Sequence, residues 1–131
     1  MIRTLVVDDN FVNRKLLMSI LKTTGPCDVA ANGREALEAY HGSIRSGQRY
    51  DIMLLDVMMP EVDGIQVLQS IREEEKKNNV SADDRLPIIM ITAQKDHFLK
   101  TFDLGCDDYF LKPIDADKLI EKINEKKSKK K

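Results

Sequence analysis

DIMLLDVMMP, residues 51–60, sets an acid directly behind an unbroken apolar run. Ile52 to Leu55 have the length and chemistry of a strand covered on both faces, and such strands belong to parallel sheets enclosed by helices. Asp56 arrives where the run ends. An unpaired charge against a core costs several kcal/mol, so Asp56 has to be solvated, paired or used.

Outward from this stretch the same pattern repeats. IRTLVV (2–7), CDVAA (27–31), LPIIMIT (86–92) and DYFL (108–111) join DIMLL (51–55) as five expected strands. Segments of helical period separate them. The first helix is expected to follow Asn10, its N-cap, and to bury Leu16, Leu17, Ile20 and Leu21. The second spans about Gly33 to Ile44 and buries Ala36, Leu37 and Tyr40; the third starts near Gly64 and buries Ile65, Leu68 and Ile71. REEEKKNN (72–79) reads as the solvated end of that helix and a polar loop. A fourth helix, about Lys95 to Leu104, stops at Gly105, a residue suited to a left-handed cap. A fifth begins at Asp115 and buries Leu119, Ile120 and Ile123. Alternation of this kind predicts a doubly wound, five-stranded parallel α/β domain.

The 131-residue length suits one domain, and 42% hydrophobic with 33% charged residues excludes intrinsic disorder. No apolar stretch is long enough to cross a bilayer and no signal-peptide pattern opens the chain, so a cytoplasmic location is expected. Cys27 and Cys106 form no metal-ligand spacing and read as small buried apolar residues. Five of the 21 basic residues lie in 126–131, so residues 1–125 hold 16 against 22 acidic ones, a net charge of −6. An acidic body argues against nucleic acid as the main ligand; the lysine-rich tail, 126–131, reads as a solvated terminus.

The polar residues at the strand ends carry the chemistry. Asp8 and Asp9 follow the first strand, Asp56 ends the third, Thr92 closes the fourth and Lys112 follows the fifth. Right-handed crossovers keep the strands parallel and deliver all of these to one rim, where ligands bind in sheets of this kind. Clustered carboxylates repel unless a cation compensates, and Mg²⁺, which takes oxygen ligands and keeps several waters, suits the set. A carboxylate, a cation, a lysine and a hydroxyl make a phosphoryl-transfer site, with Asp56 as the nucleophile. Neither histidine, His41 or His97, sits at a strand end, and no glycine-rich phosphate loop follows the first strand.

VVDDN (6–10), LLDVMMPEVDG (54–64), MITA (90–93) and LKPID (111–115), in that order, make the chain resemble the receiver domains of two-component response regulators over essentially its whole length. The resemblance implies a flavodoxin-like (βα)5 fold with strand order 2-1-3-4-5. It implies that Asp56 accepts a phosphoryl group from a phosphohistidine of a histidine kinase or histidine phosphotransfer protein. Asp9, Asp56 and the Met58 carbonyl would bind Mg²⁺ directly and Asp8 through water, while Thr92 and Lys112 hold the phosphoryl oxygens. Lys112–Pro113 would be a cis peptide. Tyr109 matches the aromatic switch position: Thr92 moves toward the phosphoryl group, Tyr109 turns inward, and a downstream partner reads the face of the fourth helix, fifth strand and fifth helix. Such a domain is a phosphoacceptor switch that assists its own phosphorylation and dephosphorylation, not an enzyme in the ordinary sense.

DDNFVNRKLL (8–17) looks more like receivers attached to hybrid histidine kinases or working in relays than those of transcription factors. Residues 1–125 are expected to form the receiver, with no DNA-binding domain behind it, either as a stand-alone regulator or as a piece of a longer chain. The Met58 side chain cannot orient a water, so the acyl phosphate is expected to hydrolyse slowly, unless the Gln94 amide places one. Two other classes stay open. A magnesium-dependent phosphatase of the haloacid dehalogenase type also uses a strand-end Asp and a lysine, but that family has D-x-D at the first strand where this chain has Asp8-Asp9. A pseudo-receiver would bind a partner without phosphorylation.

Overall fold

The computed structural model describes residues 1–57, 59, 63–93 and 103–129. Met58, Pro60 and Gln94 lie outside the described residues, as does nearly all of the expected fourth helix. The strands are β1 (Thr4–Val7), β2 (Cys27–Ala30), β3 (Ile52–Asp56), β4 (Ile88–Thr92) and β5 (Asp108–Leu111). They form one parallel sheet in the order β2-β1-β3-β4-β5. The helices are α1 (Phe11–Leu21), α2 (Gly33–Ser46), α3 (Gly64–Lys77) and a C-terminal helix (Ala116–Lys129).

Side-chain alternation explains why the strands are apolar throughout. Leu5, Val7, Met53, Leu55, Ile88 and Met90 face α2 and α3. Val6, Ile52, Leu54, Ile89 and Ile91 face α1 and the C-terminal helix, against Leu17, Leu21, Leu119 and Ile123. Both sets are almost fully buried, and each large side chain withdrawn from water contributes about 1.5–3 kcal/mol.

Local chemistry sets the helix starts. Asn10 accepts from the Asn13 amide at 3.0 Å, and Asn32 from Glu35 at 2.9 Å. Asp63 and Gln66 form a reciprocal capping box. Asp115 accepts from the Lys118 amide at 3.1 Å.

Several expectations need correction. Leu16 is 46% exposed, because α1 offers the sheet only the stripe through Leu17 and Leu21. β2 is an edge strand, so Asp28 and Val29 are exposed and Cys27 only half-buried. The Cys27 thiol is pushed up to about 11 by burial and then by Asp28, which keeps it protonated. Lys126 belongs to the C-terminal helix and not to a frayed tail: it pairs with Asp108 at 3.2 Å, beside Lys122 at the same distance.

The largest departure concerns REEEKKNN. Glu75 is 6% exposed, and its carboxylate accepts from Arg72 at 2.7 Å and from the Leu86 amide at 2.7 Å. Arg72 also donates to the Gly105 carbonyl and to Asp107, both at 2.8 Å. Asp107 in turn accepts from Arg85 and from the Ile88 amide. This buried network ties the end of α3 to the starts of β4 and β5.

Candidate functional site

β1 and β3 are neighbours in the sheet, but β1 leads through α1 to β2 on one side and β3 leads through α3 to β4 on the other. Such a switch point leaves a crevice at the carboxyl ends of the strands. Register decides what fills it. Val7 lies beside Leu55, which sets the next residue of each strand, Asp8 and Asp56, level with one another. Asp56 lies beside Ile91, and Thr92 beside Leu111, so Thr92 and Lys112 reach the same rim.

The carboxylates of Asp8, Asp9 and Asp56 each offer an oxygen, all within 4.8 Å of one another. Asp8 and Asp56 are buried and Asp9 exposed. Lys112 Nζ lies 3.6 Å from an oxygen of Asp56 and 3.6 Å from one of Asp8. These residues and Thr92 line a cleft of about 240 Å³. Two carboxylates 4 Å apart repel by roughly 4 kcal/mol at an effective dielectric of 20, so one ammonium leaves the cluster short of positive charge. The donor set is all carboxylate oxygen, the chemistry that a hard divalent cation such as Mg²⁺ takes, and it is compact enough for a cation with bound waters to lie among the three acids.

The surrounding backbone is equally constrained. Asp8 accepts from the Asn10 amide at 2.9 Å, and its carbonyl from Arg14 at 2.8 Å, so the acid also shapes the entry to α1. The Lys112 amide donates to the Thr92 carbonyl at 2.8 Å, and the Lys112–Pro113 peptide is cis. Tyr109 is partly buried against the α2–α3 side of the core. Gly64, expected as a helix-start residue that helps to shape the site, does so by close approach. Its amide donates to the Val57 carbonyl at 3.1 Å, and any Cβ there would collide with the Asp56 carbonyl. The sequence signal was available in the glycine of PEVDG, but the close approach needs the fold. Met58 and Gln94 lie outside the described residues, so their parts in this site remain expectations.

The model of the response regulator receiver domain matches residues 4–124. The chain belongs to the response regulator receiver family. Hybrid signal transduction histidine kinase L of Dictyostelium discoideum is 42% identical over 125 residues, covering 92% of this chain and 7% of the kinase. The probable transcriptional regulator ycf27 of Cyanidium caldarium is 38% identical over 122 residues, covering 91% of this chain and 43% of that protein. The receiver domain of Saccharomyces cerevisiae Ssk1, solved with the histidine phosphotransfer protein Ypd1, superposes with a TM-score of 0.83 at 28% identity, covering 97% of this chain and 89% of that one. The chain thus spans a small part of the curated relatives it matches. It is a receiver of two-component or phosphorelay signalling, a class of switches that generally bind Mg²⁺ in an acidic pocket. Among the described residues no helix is long and apolar enough to cross a membrane.

Proposed function

We propose that Asp56 is the phosphoacceptor. A carboxylate oxygen of Asp56 attacks the phosphorus of a phosphohistidine on a histidine kinase or histidine phosphotransfer protein; the P–N bond breaks, and the imidazole leaves with its electron pair. The Lys112 ammonium and the Thr92 hydroxyl take the phosphoryl oxygens. The acyl phosphate therefore forms among groups already facing it, and positioning and charge neutralisation supply the rate. Asp9, Asp56 and the Met58 carbonyl would hold Mg²⁺, with Asp8 acting through water. The bound ion offsets negative charge on the carboxylates and the phosphoryl oxygens. The domain thereby assists its own phosphorylation, and its dephosphorylation when water attacks the acyl phosphate, which restores the Asp56 carboxylate and releases inorganic phosphate.

The observation that carries this reading is the convergence of three carboxylates with Lys112, set 3.6 Å from Asp56. A second supports the partner class: on α1, the helix whose Asn13 lines the cleft, Phe11, Val12, Leu16 and Met18 are 61%, 70%, 46% and 42% exposed. That apolar surface suits a helical phosphodonor. Thr92 and Tyr109 then carry the change to β5, the C-terminal helix and the expected fourth helix, a face which a downstream protein reads in the cytoplasm. The receiver runs through the C-terminal helix, in which Lys126 is already tied to Asp108.

Incubation with acetyl phosphate and Mg²⁺, followed by intact mass measurement, tests this. The wild-type protein gains one phosphoryl group, and Asp56→Asn or chelation of Mg²⁺ abolishes the gain. Steady turnover of phosphate esters would instead support the haloacid dehalogenase type of chemistry, and no adduct at all would support a pseudo-receiver.

A further inference from the structure

Arg14, on the first turn of α1, makes two contacts at once. Its Nη1 donates to the Asp8 carbonyl at 2.8 Å, and its guanidinium carbon stands 5.7 Å from the centre of the Phe11 ring, one helical turn earlier. Arg14 is half-buried, whereas Phe11 is exposed.

The Asp8 carbonyl belongs to the short link between β1, which ends at Val7, and α1, which begins at Phe11. On that link the strand ladder has stopped and the helix has not begun, so other partners must fix the chain. Asp8 is held at three points. Its amide donates to the Ala30 carbonyl at 3.1 Å, its carboxylate accepts from the Asn10 amide at 2.9 Å, and its carbonyl accepts from Arg14. The third bond acts on the planar peptide group that joins Asp8 to Asp9, and that plane sets the direction in which the Asp9 side chain leaves the backbone. Asp9 is the exposed member of the acidic cluster, so packing fixes it less than it fixes the buried Asp8 and Asp56. A hydrogen bond from a guanidinium is of the strong, charge-assisted kind, and the attraction of the Phe11 ring for the guanidinium opposes rotamers that would break it.

We infer that Arg14 is a positioning residue for the cation site: braced on Phe11, it fixes the Asp8–Asp9 peptide and so aims the Asp9 carboxylate into the cluster. This rests on the reading of Asp8, Asp9 and Asp56 as the site that takes Mg²⁺. Charge and geometry pull in opposite directions here. The Arg14 charge by itself opposes a nearby cation, so removing it would tighten Mg²⁺ binding, whereas losing the hydrogen bond loosens Asp9 and weakens it. At about 0.15 M salt the Debye length is about 8 Å, which damps the charge of a partly exposed side chain and leaves geometry the larger effect.

Titration of the ¹⁵N-labelled full chain with MgCl₂ at that ionic strength, followed through the amide signals of Asp8, Asp9 and Asp56, tests this without any phosphodonor. Arg14→Met keeps an apolar stem and drops the guanidinium; it should weaken Mg²⁺ binding about fivefold, the worth of one hydrogen bond. Phe11→Leu keeps the bond but removes its brace, and should weaken binding about twofold. Lys15→Met removes the other cation beside the Phe11 ring, whose Nζ lies 5.4 Å from the ring centre, and should leave the affinity unchanged. Each variant is compared after its amide spectrum outside the cleft matches the wild type. An affinity in Arg14→Met that is unchanged or higher, or an equal loss in Lys15→Met, would overturn the inference and leave the cation site standing. A wild-type chain with no saturable Mg²⁺ shift would overturn the cation reading and this inference with it.

Discussion

Lys112 Nζ lies 3.6 Å from a carboxylate oxygen of Asp56, although β4 stands between the strands that deliver the two residues. Its long side chain reaches across the rim and is the one ammonium paired with the acidic cluster among the described residues.

Replacing that ammonium should act on both phosphorylation and stability. In Lys112→Met the phosphoryl oxygens lose a cation, and the rate with acetyl phosphate falls at least about tenfold, or about 1.4 kcal/mol of barrier. Without Mg²⁺ the variant also loses about 1–3 kcal/mol of stability, because the buried Asp8 and Asp56 carboxylates lose their counter-charge. Urea unfolding with and without Mg²⁺ reads this, and the metal should stabilise the variant more than the wild type.

Gly64 is the backbone counterpart of Lys112. Gly64→Ala drives a methyl group into the Asp56 carbonyl, so the acid shifts or α3 is displaced. A loss of about 1–3 kcal/mol in urea unfolding is expected, the usual cost of such overpacking, together with slower phosphorylation. An unchanged rate would show that the site tolerates movement of its nucleophile.

Arg72→Ala should cost about 3–5 kcal/mol, since it leaves the Glu75 and Asp107 carboxylates without their guanidinium partner in a largely buried setting. Thermal or urea unfolding measures this. Arg72→Met, which fills the space but removes the charge, should recover little of the loss.

Asp108 holds the C-terminal helix on the sheet through Lys122 and Lys126. Burial raises its carboxyl, but the Tyr109 amide and the two lysines together outweigh that and hold it below the ordinary 3.8. A folded value beneath the unfolded one contributes stability above about pH 3.8, and that contribution is lost as pH falls through the folded value. Partial exposure limits it to about 1 kcal/mol or less. Asp108→Asn should therefore lower stability at neutral pH and flatten the acid limb of a stability-against-pH curve, with the two proteins converging at the lowest pH.

Most of the sheet could be read from the chain because a strand buried on both faces must be apolar along its length, as Ile52 to Leu55 are. The rim was legible for the same reason, since Asp8, Asp56, Thr92 and Lys112 stand where apolar runs stop. β2 escaped this logic: its place at the sheet edge frees Asp28 and Val29 from burial, and nothing local announces an edge. Glu75 and Arg72 escaped it too. In sequence they belong to a run of charges that suits a solvated helix end, and only the Gly105 carbonyl, Asp107 and the Leu86 amide, brought in from distant segments, make their burial affordable. Leu16 shows the converse, an apolar residue at helical spacing that the sheet does not cover.

The most direct test of the account is to locate the phosphoryl group itself. The protein is phosphorylated by acetyl phosphate with Mg²⁺, reduced with borohydride to convert an acyl phosphate into a stable alcohol, digested and sequenced by mass spectrometry. The modification is predicted at Asp56 alone. Its appearance at Asp8, Asp9 or any other residue, with Asp56 unmodified, would contradict the assignment of Asp56 as the group that the other three strand ends serve.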